Sequence, residues 1–404
     1  MRWPSVSATA KHSSSALSKF LSVPLCPMDL RGMASNDRRH IQTSVEQLAA
    51  RTARSYHAFS SGILKRSLDR ETAAQLVPLE SICKSEFKRC VVLSEMVEPY
   101  LKQLDSRAET AKYNEGCVDS VNKSEEDNGG CLQTQFIDML RDLRPQENLL
   151  DVAVNEKCIS SPDVNHWISC FCRRRVSWRV IHEHLLHLAE PELYAPVIRS
   201  DPCVGPLLQH AGTVVIDLYS RMVQAAHGGS LTITVEERPN LFTCMPEGQL
   251  VTSSTAVSPT TQSGVGAQAL PSETILSVEG HLAYVFRELI KNACVALMAK
   301  VTNMELKVHF ATNATHIVVD IIDTAGGLDP NFAEHYWQFG WSTNTSLCQV
   351  ICGFGLGLPV SKVYMDIWNG QIDIYTIRGS GTTVRVTFPK APVEALLPEV
   401  NTSP

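Results

Sequence analysis

At 404 residues, 44% hydrophobic and 19% charged, the chain can bury a sizeable core and has room for two domains. Its formal charge of −6 argues against a general nucleic-acid binder, which carries a basic surface. No apolar run approaches the roughly 18 residues that span a bilayer, so no membrane insertion is expected.

Thirteen irregularly spaced cysteines suit buried free thiols in a reducing compartment better than a disulfide framework. Cys170 and Cys172, and Cys348 and Cys352, lack the nearby paired partners that a zinc site needs.

Met1 to Met28 contain no Asp or Glu, while Arg2, Lys11 and Lys19 are spread among Ser and Ala. That composition matches a mitochondrial transit peptide, the alternative being a plain disordered tail; we assign residues 1–42 to it. Residues Thr43 to Asp105 have helical spacing, with Ile82, Phe87, Val91, Val92, Met96 and Leu101 on one side of a long helix. Ser106–Gly130 is polar and ends in Asn128-Gly129-Gly130, so an exposed loop is expected. Helical patterning resumes at Leu132–Leu143, His166–Leu188 and Val204–Ala226. Four helices without strand alternation predict an antiparallel four-helix bundle over residues 43–229.

The third helix carries Arg173-Arg174-Arg175-Val176-Ser177-Trp178-Arg179, which on its own reads equally well as a solvated face. His182 and His184 are two apart and cannot share a helix face, which argues against a metal site. His182-Glu183 formally offers a phosphoacceptor histidine followed by an acid.

Leu231–Val235 alternates as a strand should, and residues 246–271 read as a flexible insert rich in Ser, Thr, Gly, Ala and Gln. Leu282, Val285, Phe286, Leu289, Ala293, Ala296 and Leu297 then form a helical stripe. Glu288 and Asn292, four apart, project from the rim of that stripe. In the predicted strand His316–Asp323, Asp323 is in phase with Ile317, Val319 and Ile321. A carboxylate among apolar side chains needs a donor, and Gly326-Gly327 behind it would let a flat ring approach the backbone. Capping of a turn is the ordinary alternative. Ile372–Ile377, Gly379-Ser380-Gly381 and Thr382–Phe388 read as a hairpin ended by Pro389, with a loose tail over 391–404.

The run Gly353-Phe354-Gly355-Leu356-Gly357-Leu358-Pro359, followed by an amphipathic stretch from Val360, predicts an anion-binding turn at a helix N-terminus. No Walker-type loop and no ordinary protein-kinase set is present. A dinucleotide fingerprint would need its third glycine at 358, which is Leu, although Asp373 lies about 20 residues on.

In order, Glu288-Leu289-Ile290-Lys291-Asn292-Ala293, Asp323-x-x-Gly326-Gly327, the glycine run and Gly381-Thr382 resemble the Bergerat-type ATP-binding fold of gyrase, the ninety-kilodalton heat-shock chaperone, MutL and histidine kinases. The closer resemblance is to the mitochondrial 2-oxoacid dehydrogenase kinases, of pyruvate and branched-chain types. Arg173–Arg179 is similar to their Arg-Ile-Ser-x-Arg segment, and Ser342-Thr343 to their lid Ser-Thr. The likeness covers roughly residues 60 to 388, with its specific motifs in the last third.

That resemblance implies an α + α/β protein, a four-helix bundle followed by a Bergerat-type α/β sandwich over 230–390. It implies ATP and Mg2+ as cofactors, with Asn292 holding the metal, Glu288 as general base and Lys291 offsetting charge. Asp323, Gly327 and Thr382 would receive the adenine, while Ser342, Thr343 and Gly353, Phe354, Gly355, Leu356, Gly357 and Leu358 would surround phosphate. The implied activity is a matrix serine kinase that inactivates the decarboxylase subunit of a 2-oxoacid dehydrogenase complex. It would dock on the lipoyl domain of the acyltransferase core and form a homodimer. Tyr284, one turn before Glu288, and Phe354 favour the branched-chain type. Two features depart from the family: Ala325 stands where a glycine is usual, and the lid between Thr343 and Gly353 is short. Ala325 also supports the alternatives, a non-kinase ATPase or nucleotide-binding regulator; His182 supports a histidine kinase.

Overall fold

The computed structural model describes residues 9–25, 28–29, 40–57, 60, 70–114, 126–143, 162–200, 203–254, 276–300, 304–342, 355–390 and 396–397. Helices α1 (Thr9–Ser22), α2 (His40–His57), α3 (Arg70–Asn114), α4 (Glu126–Asp142) and α5 (Pro162–Ala189) occupy the first half, with a short strand β1 (Met28–Asp29) between α1 and α2. Then come β2 (Ile198–Ser200), α6 (Val204–His227), β3 (Leu231–Glu237), β4 (Gln249–Ser253), β5 (Leu276–Val278) and α7 (Glu279–Lys300). Strands β6 (Met304–Thr312) and β7 (His316–Asp323), α8 (Gly357–Ile367), β8 (Gln371–Ile377), β9 (Gly381–Pro389) and β10 (Leu396–Leu397) complete the order.

The helical half departs from the sequence reading in four places. The long first helix is two, α2 and α3, which pack on each other. The inward stripe of α3 is Cys83, Phe87, Cys90, Leu93, Val97 and Tyr100, whereas Val92 is exposed; two neighbours such as Val91 and Val92 cannot both face inward. The expected loop 106–130 is helical to Asn114 and again from Glu126, so Asn128, Gly129 and Gly130 lie within α4. Each helical glycine costs about 1 kcal/mol relative to Ala, but α4 anchors downstream through Phe136 and Leu140, both fully buried. The N-terminal segment, for which a plain disordered tail was the alternative to a transit peptide, is helical over Thr9–Ser22. Phe20 of α1 packs edge-on against Phe87, and Arg54 of α2 donates to the Val23 carbonyl at 2.7 Å.

The fourth change concerns the bundle. Helix α2 packs on α3 and α5, α3 on α4, and α4 on α5, whereas the main packing of α6 is on α7 and β3. The helix expected to close the bundle thus belongs to the layer over the sheet. Its end is set by Gly228 at φ 64, whose N–H returns to the Gln224 carbonyl.

The sheet has six strands in the order β3-β6-β7-β9-β8-β4. Only β3 and β6 run parallel; the other pairs are antiparallel. Alternation explains its two faces: Met304, Leu306 and Val308 of β6 and Ile317, Val319 and Ile321 of β7 are buried in the main core, which α7 and α8 help to form. On the opposite face Leu241 covers Ala311 and Val318. Asp320 there accepts a two-pronged pair from Arg385 on the facing strand, both bonds at 2.7 Å.

Strand β6 was not singled out from the sequence, although Met304, Leu306 and Val308 alternate with Glu305 and Lys307. Part of the expected insert 246–271 is also structured: β4 pairs with β8 at the sheet edge, and Trp337 donates to Thr252. Residues 255–271 of it lie outside the described residues. Within the tail, β10 pairs with β1.

Candidate functional site

Helix α7 supplies three of the predicted side chains. Glu288 is buried at 8% exposure, Lys291 is half-buried and Asn292 is exposed, as expected for positions on the rim of a helix that buries Leu282, Val285, Phe286 and Leu289. Lys291 Nζ donates to Glu288 Oε2, and Arg287 Nε lies 3.9 Å from Glu288 Oε1. The carboxylate is therefore held from the solvent side by cations while its own stem lies in the core.

Helix α8 starts at Gly357 against these residues. A Cβ on Gly357 would lie 2.7 Å from Glu288 Oε2 and 3.7 Å from Asn292 Nδ2, so only glycine lets the helix start come this close. No side chain caps the α8 N-terminus at Leu356. Its first turn contains Pro359, which has no N–H, leaving Gly357 and Leu358 as outward amides of a positive helix end. Leu356 and Leu358 pack their side chains against the core, so it is their backbone that serves the site.

Just before α8 the chain closes on itself. Gly340 donates to the Gly355 carbonyl at 3.1 Å, and Gly355, at φ 68, would bring a Cβ to 2.5 Å from the Trp341 carbonyl. Ser342 is exposed beside this neck. Thr343, Gly353 and Phe354 lie outside the described residues, as does most of the expected lid.

At the end of β7, Asp323 is 6% exposed and in phase with Ile317, Val319 and Ile321, as the pattern predicted. Its Oδ1 accepts from Ala325 N at 2.8 Å and Thr382 N at 3.3 Å. Two amide donors meet the cost of burying the charge. Thr382 is its register partner on β9 and is likewise buried. Gly327 has φ 81, and a Cβ there would reach Thr376 Oγ1 at 2.5 Å and the Ile377 carbonyl at 2.8 Å. The Asp323-to-Gly327 turn therefore lies flat on the β8–β9 hairpin. Burial pushes the Cys294 thiol of α7 up to about 12, and the negative charge of Asp323 adds to that.

Ala325 does not share the left-handed backbone of its neighbours: Gly326 and Gly327 have φ 90 and 81, while among the described residues Asn369 is the one non-glycine at positive φ. Its methyl group is buried in the main core. The position fits alanine.

Residues missed from the sequence surround this site. Thr376 Oγ1 accepts from Leu328 N at 2.9 Å; a polar residue in the apolar phase of Ile372 and Ile374 was the available signal. His281 is buried, accepts from Trp368 Nε1 at 2.8 Å and lies 4.6 Å from the Tyr364 ring. Tyr364 in turn lies 4.8 Å from Tyr284, one turn before Glu288. Burial raises the Tyr284 hydroxyl pKa, and the Glu288 charge raises it further.

The arginine run is not a solvated face. Arg173 pairs with Asp366, Arg175 makes a two-pronged pair with Glu86 at 2.8 Å and covers Trp178, and Arg179 pairs with Glu183. His182 is 1% exposed, stacks on Trp178 and bonds the Leu140 carbonyl through Nε2 at 2.7 Å. A phosphoacceptor needs an accessible ring nitrogen, and this ring is enclosed by α4 and α5. Among the described residues no group of three His, Cys, Asp or Glu could hold a metal, and Cys83, Cys90, Cys172 and Cys294 are buried free thiols.

A six-stranded sheet under helices thus brings together a carboxylate-carboxamide pair facing a glycine at a helix start and a buried strand-end aspartate. Residues 277–392 match the family described as histidine kinase-, DNA gyrase B-, and HSP90-like ATPase. Within that class the chain resembles mitochondrial kinases of pyruvate dehydrogenase. It is 30% identical over 124 residues to pyruvate dehydrogenase (acetyl-transferring) kinase isozyme 1 of Mus musculus, covering 28% of this chain and 29% of that protein. Human isozyme 4 is 27% identical over 118 residues, covering 27% of this chain and 29% of that protein. The probable kinase of Caenorhabditis elegans is 27% identical over 141 residues, covering 32% and 35% respectively. The matches thus span about a third or less of each relative.

Proposed function

We propose that this protein is an ATP-dependent protein serine kinase acting on a mitochondrial 2-oxoacid dehydrogenase complex. The observation that carries the reading is the meeting of Glu288 and Asn292 with Gly357 at an uncapped helix start, inside the segment that matches the ATPase family and aligns with relatives named as mitochondrial pyruvate dehydrogenase kinases. The helix end favours an anion such as phosphate, and Gly357 lets that end lie against Glu288.

The residues fit magnesium-ATP. Asn292 offers a hard oxygen ligand suited to Mg2+ beside the phosphate-binding amides. Asp323 and Thr382 are assigned to the polar end of an adenine site, and Gly327, whose lack of a side chain lets its turn lie on the β8–β9 hairpin, is placed beside the ring by resemblance. When bound, magnesium-ATP supplies the phosphoryl group and neutralises part of its charge. Glu288 then takes the proton of a substrate serine hydroxyl. Lys291 orients Glu288 and offsets charge around it, and the Gly355–Leu358 backbone holds the anion. Ser342, Thr343, Gly353 and Phe354 are assigned to the phosphate-covering lid by resemblance.

By the same reading, α2–α5 of the expected 43–229 domain are regulatory, and α6 joins residues 230–390 in the kinase domain. The protein acts in the matrix on the decarboxylase subunit, docks on a lipoyl domain and forms a homodimer; the relatives' mitochondrial names support the compartment. Tyr284 and Phe354 favoured the branched-chain type, but the relatives carry pyruvate names and lend that preference no support. The pyruvate complex is therefore the first substrate to test. Ala325, the main argument for a regulator without transfer chemistry, has a backbone ordinary for alanine, which favours the kinase reading.

Separating binding from transfer tests the assignment. Glu288→Gln should bind magnesium-ATP within a few-fold of the parent while phosphoryl transfer falls by about 10²-fold or more. Transfer persisting within a few-fold would remove Glu288 as the base. Asn292→Ala should lose the magnesium dependence of ATP binding, and unchanged dependence would contradict its role.

A further inference from the structure

Helix α8 is tied to the helical half by an ion pair that the nucleotide site does not itself contain. Arg173 of α5 donates through Nη2 to Asp366 Oδ2 near the far end of α8, at 2.5 Å. The two are shielded, with side-chain exposures of 29% and 14%. The same carboxylate oxygen is 3.9 Å from Lys362 Nζ one turn earlier. Lys362 donates to the Ser254 carbonyl at the end of β4. Ser254 also fixes the start of β8, exchanging bonds with the Ile372 backbone at 2.8 and 2.9 Å. Asp366 is therefore the centre of a clamp joining α5, α8 and the β4–β8 edge. Along the same contact, the Arg179 side chain is hydrogen-bonded to Tyr364 of α8.

Asp366 stands nine residues after Gly357, which is about 14 Å along the helix axis. A short helix moves as a rod, so a tilt at Asp366 displaces the amides at the other end, where about 1 Å of misplacement is costly.

We propose that Arg173 is a positioning residue for the nucleotide site: through Asp366 it holds α8 at the tilt that presents the Gly357 and Leu358 amides to phosphate beside Glu288 and Asn292. This rests on the nucleotide reading above. It assigns Arg173 to phosphate binding and leaves the Asp323 base pocket independent of it.

The test measures the affinity of the full chain for magnesium-ATP and for adenosine, with thermal melting alongside. The variants are Arg173→Gln, Asp366→Asn, the double variant and Arg173→Lys. Arg173→Gln and Asp366→Asn should each weaken magnesium-ATP about fivefold or more, within the range by which remote contacts tune a site. The double variant should be no weaker than the poorer single one, because both remove one interaction. Arg173→Lys should recover part of the loss, and adenosine should bind all variants alike. ATP affinity within twofold of the parent in both single variants overturns the proposal. So does equal weakening of ATP and adenosine, which marks general loosening, or multiplicative losses in the double variant. Should Arg173→Gln fail to fold, the near-isosteric Asp366→Asn decides by the same criteria. A parent chain that binds no nucleotide overturns the site reading itself, a result distinct from silent variants in a parent that binds.

Discussion

Gly357 and Ala325 show how single atoms set this site. A Cβ on Gly357 would occupy the space 2.7 Å from Glu288 Oε2, so Gly357→Ala must push aside either the helix start or the Glu288 carboxylate. A displacement of about 1 Å at reacting groups costs on the order of 10²-fold; transfer by Gly357→Ala should fall by about that much, with the melting temperature little changed. Position 325 predicts the opposite. Alanine there has ordinary backbone and a methyl group in the core, so Ala325→Gly should not tighten nucleotide binding. It should instead lower stability by about 0.5–1 kcal/mol through unfolded-chain entropy. Paired nucleotide titrations and denaturant melts check both; tighter binding by Ala325→Gly would revive the view that alanine weakens the site. At this scale the sequence was informative where one strand or one helix holds the pattern. Asp323 in phase with three apolar residues, and Glu288 and Asn292 four apart, were legible. The contact between Glu288 and Gly357, sixty-nine positions apart, has no local period to reveal it, and only the family resemblance placed the two together.

Between elements, the α7–α8 contact is the one on which the site depends, and a histidine is built into it. His281 is buried as a neutral ring that accepts from Trp368 Nε1 and packs on Tyr364. Burial pushes its pKa down from 6.5 to about 3, with the Arg179 charge adding to the effect. The folded state therefore stays unprotonated where the unfolded chain binds a proton, and stability falls as pH drops below about 6.5 towards 3. His184 adds a second component in the same direction, lowered by burial to about 4. His281→Gln keeps an acceptor for Trp368 but does not titrate. Melting temperatures between pH 7 and 4 should decline less steeply in this variant, by about one proton's worth or 1.4 kcal/mol per pH unit. An unchanged slope would show that His281 is not held neutral. Helices and strands of the second half were legible from periodicity, as with β7 and the β8–β9 hairpin. The break between α2 and α3 was not, since both carry helical spacing. Nor was the destination of α6, because an amphipathic stripe states that a face is buried but not against what.

On the scale of the whole molecule, α5 of the helical half meets α8 of the sheet half, with one ion pair, Arg173–Asp366, across the contact, from a segment that the sequence offered only as a basic run. Arg173, Arg175 and Arg179 each find a different carboxylate, on α8, α3 and α5 itself. The Arg179–Glu183 pair is an i,i+4 spacing within one helix, whereas the pairs of Arg173 and Arg175 join distant segments and leave no trace in spacing. The likeness to the ATPase class was legible because four short motifs occur in one order, and the match over residues 277–392 spans the same stretch. The claim that the molecule is a kinase of a 2-oxoacid dehydrogenase complex meets its most direct test in one incubation. The purified protein, magnesium and ATP labelled at the terminal phosphate are combined with the pyruvate complex and, separately, the branched-chain complex. The account predicts label on serine of the decarboxylase subunit of one complex, with its dehydrogenase activity falling in step. ATP binding without label on serine of either complex would contradict it.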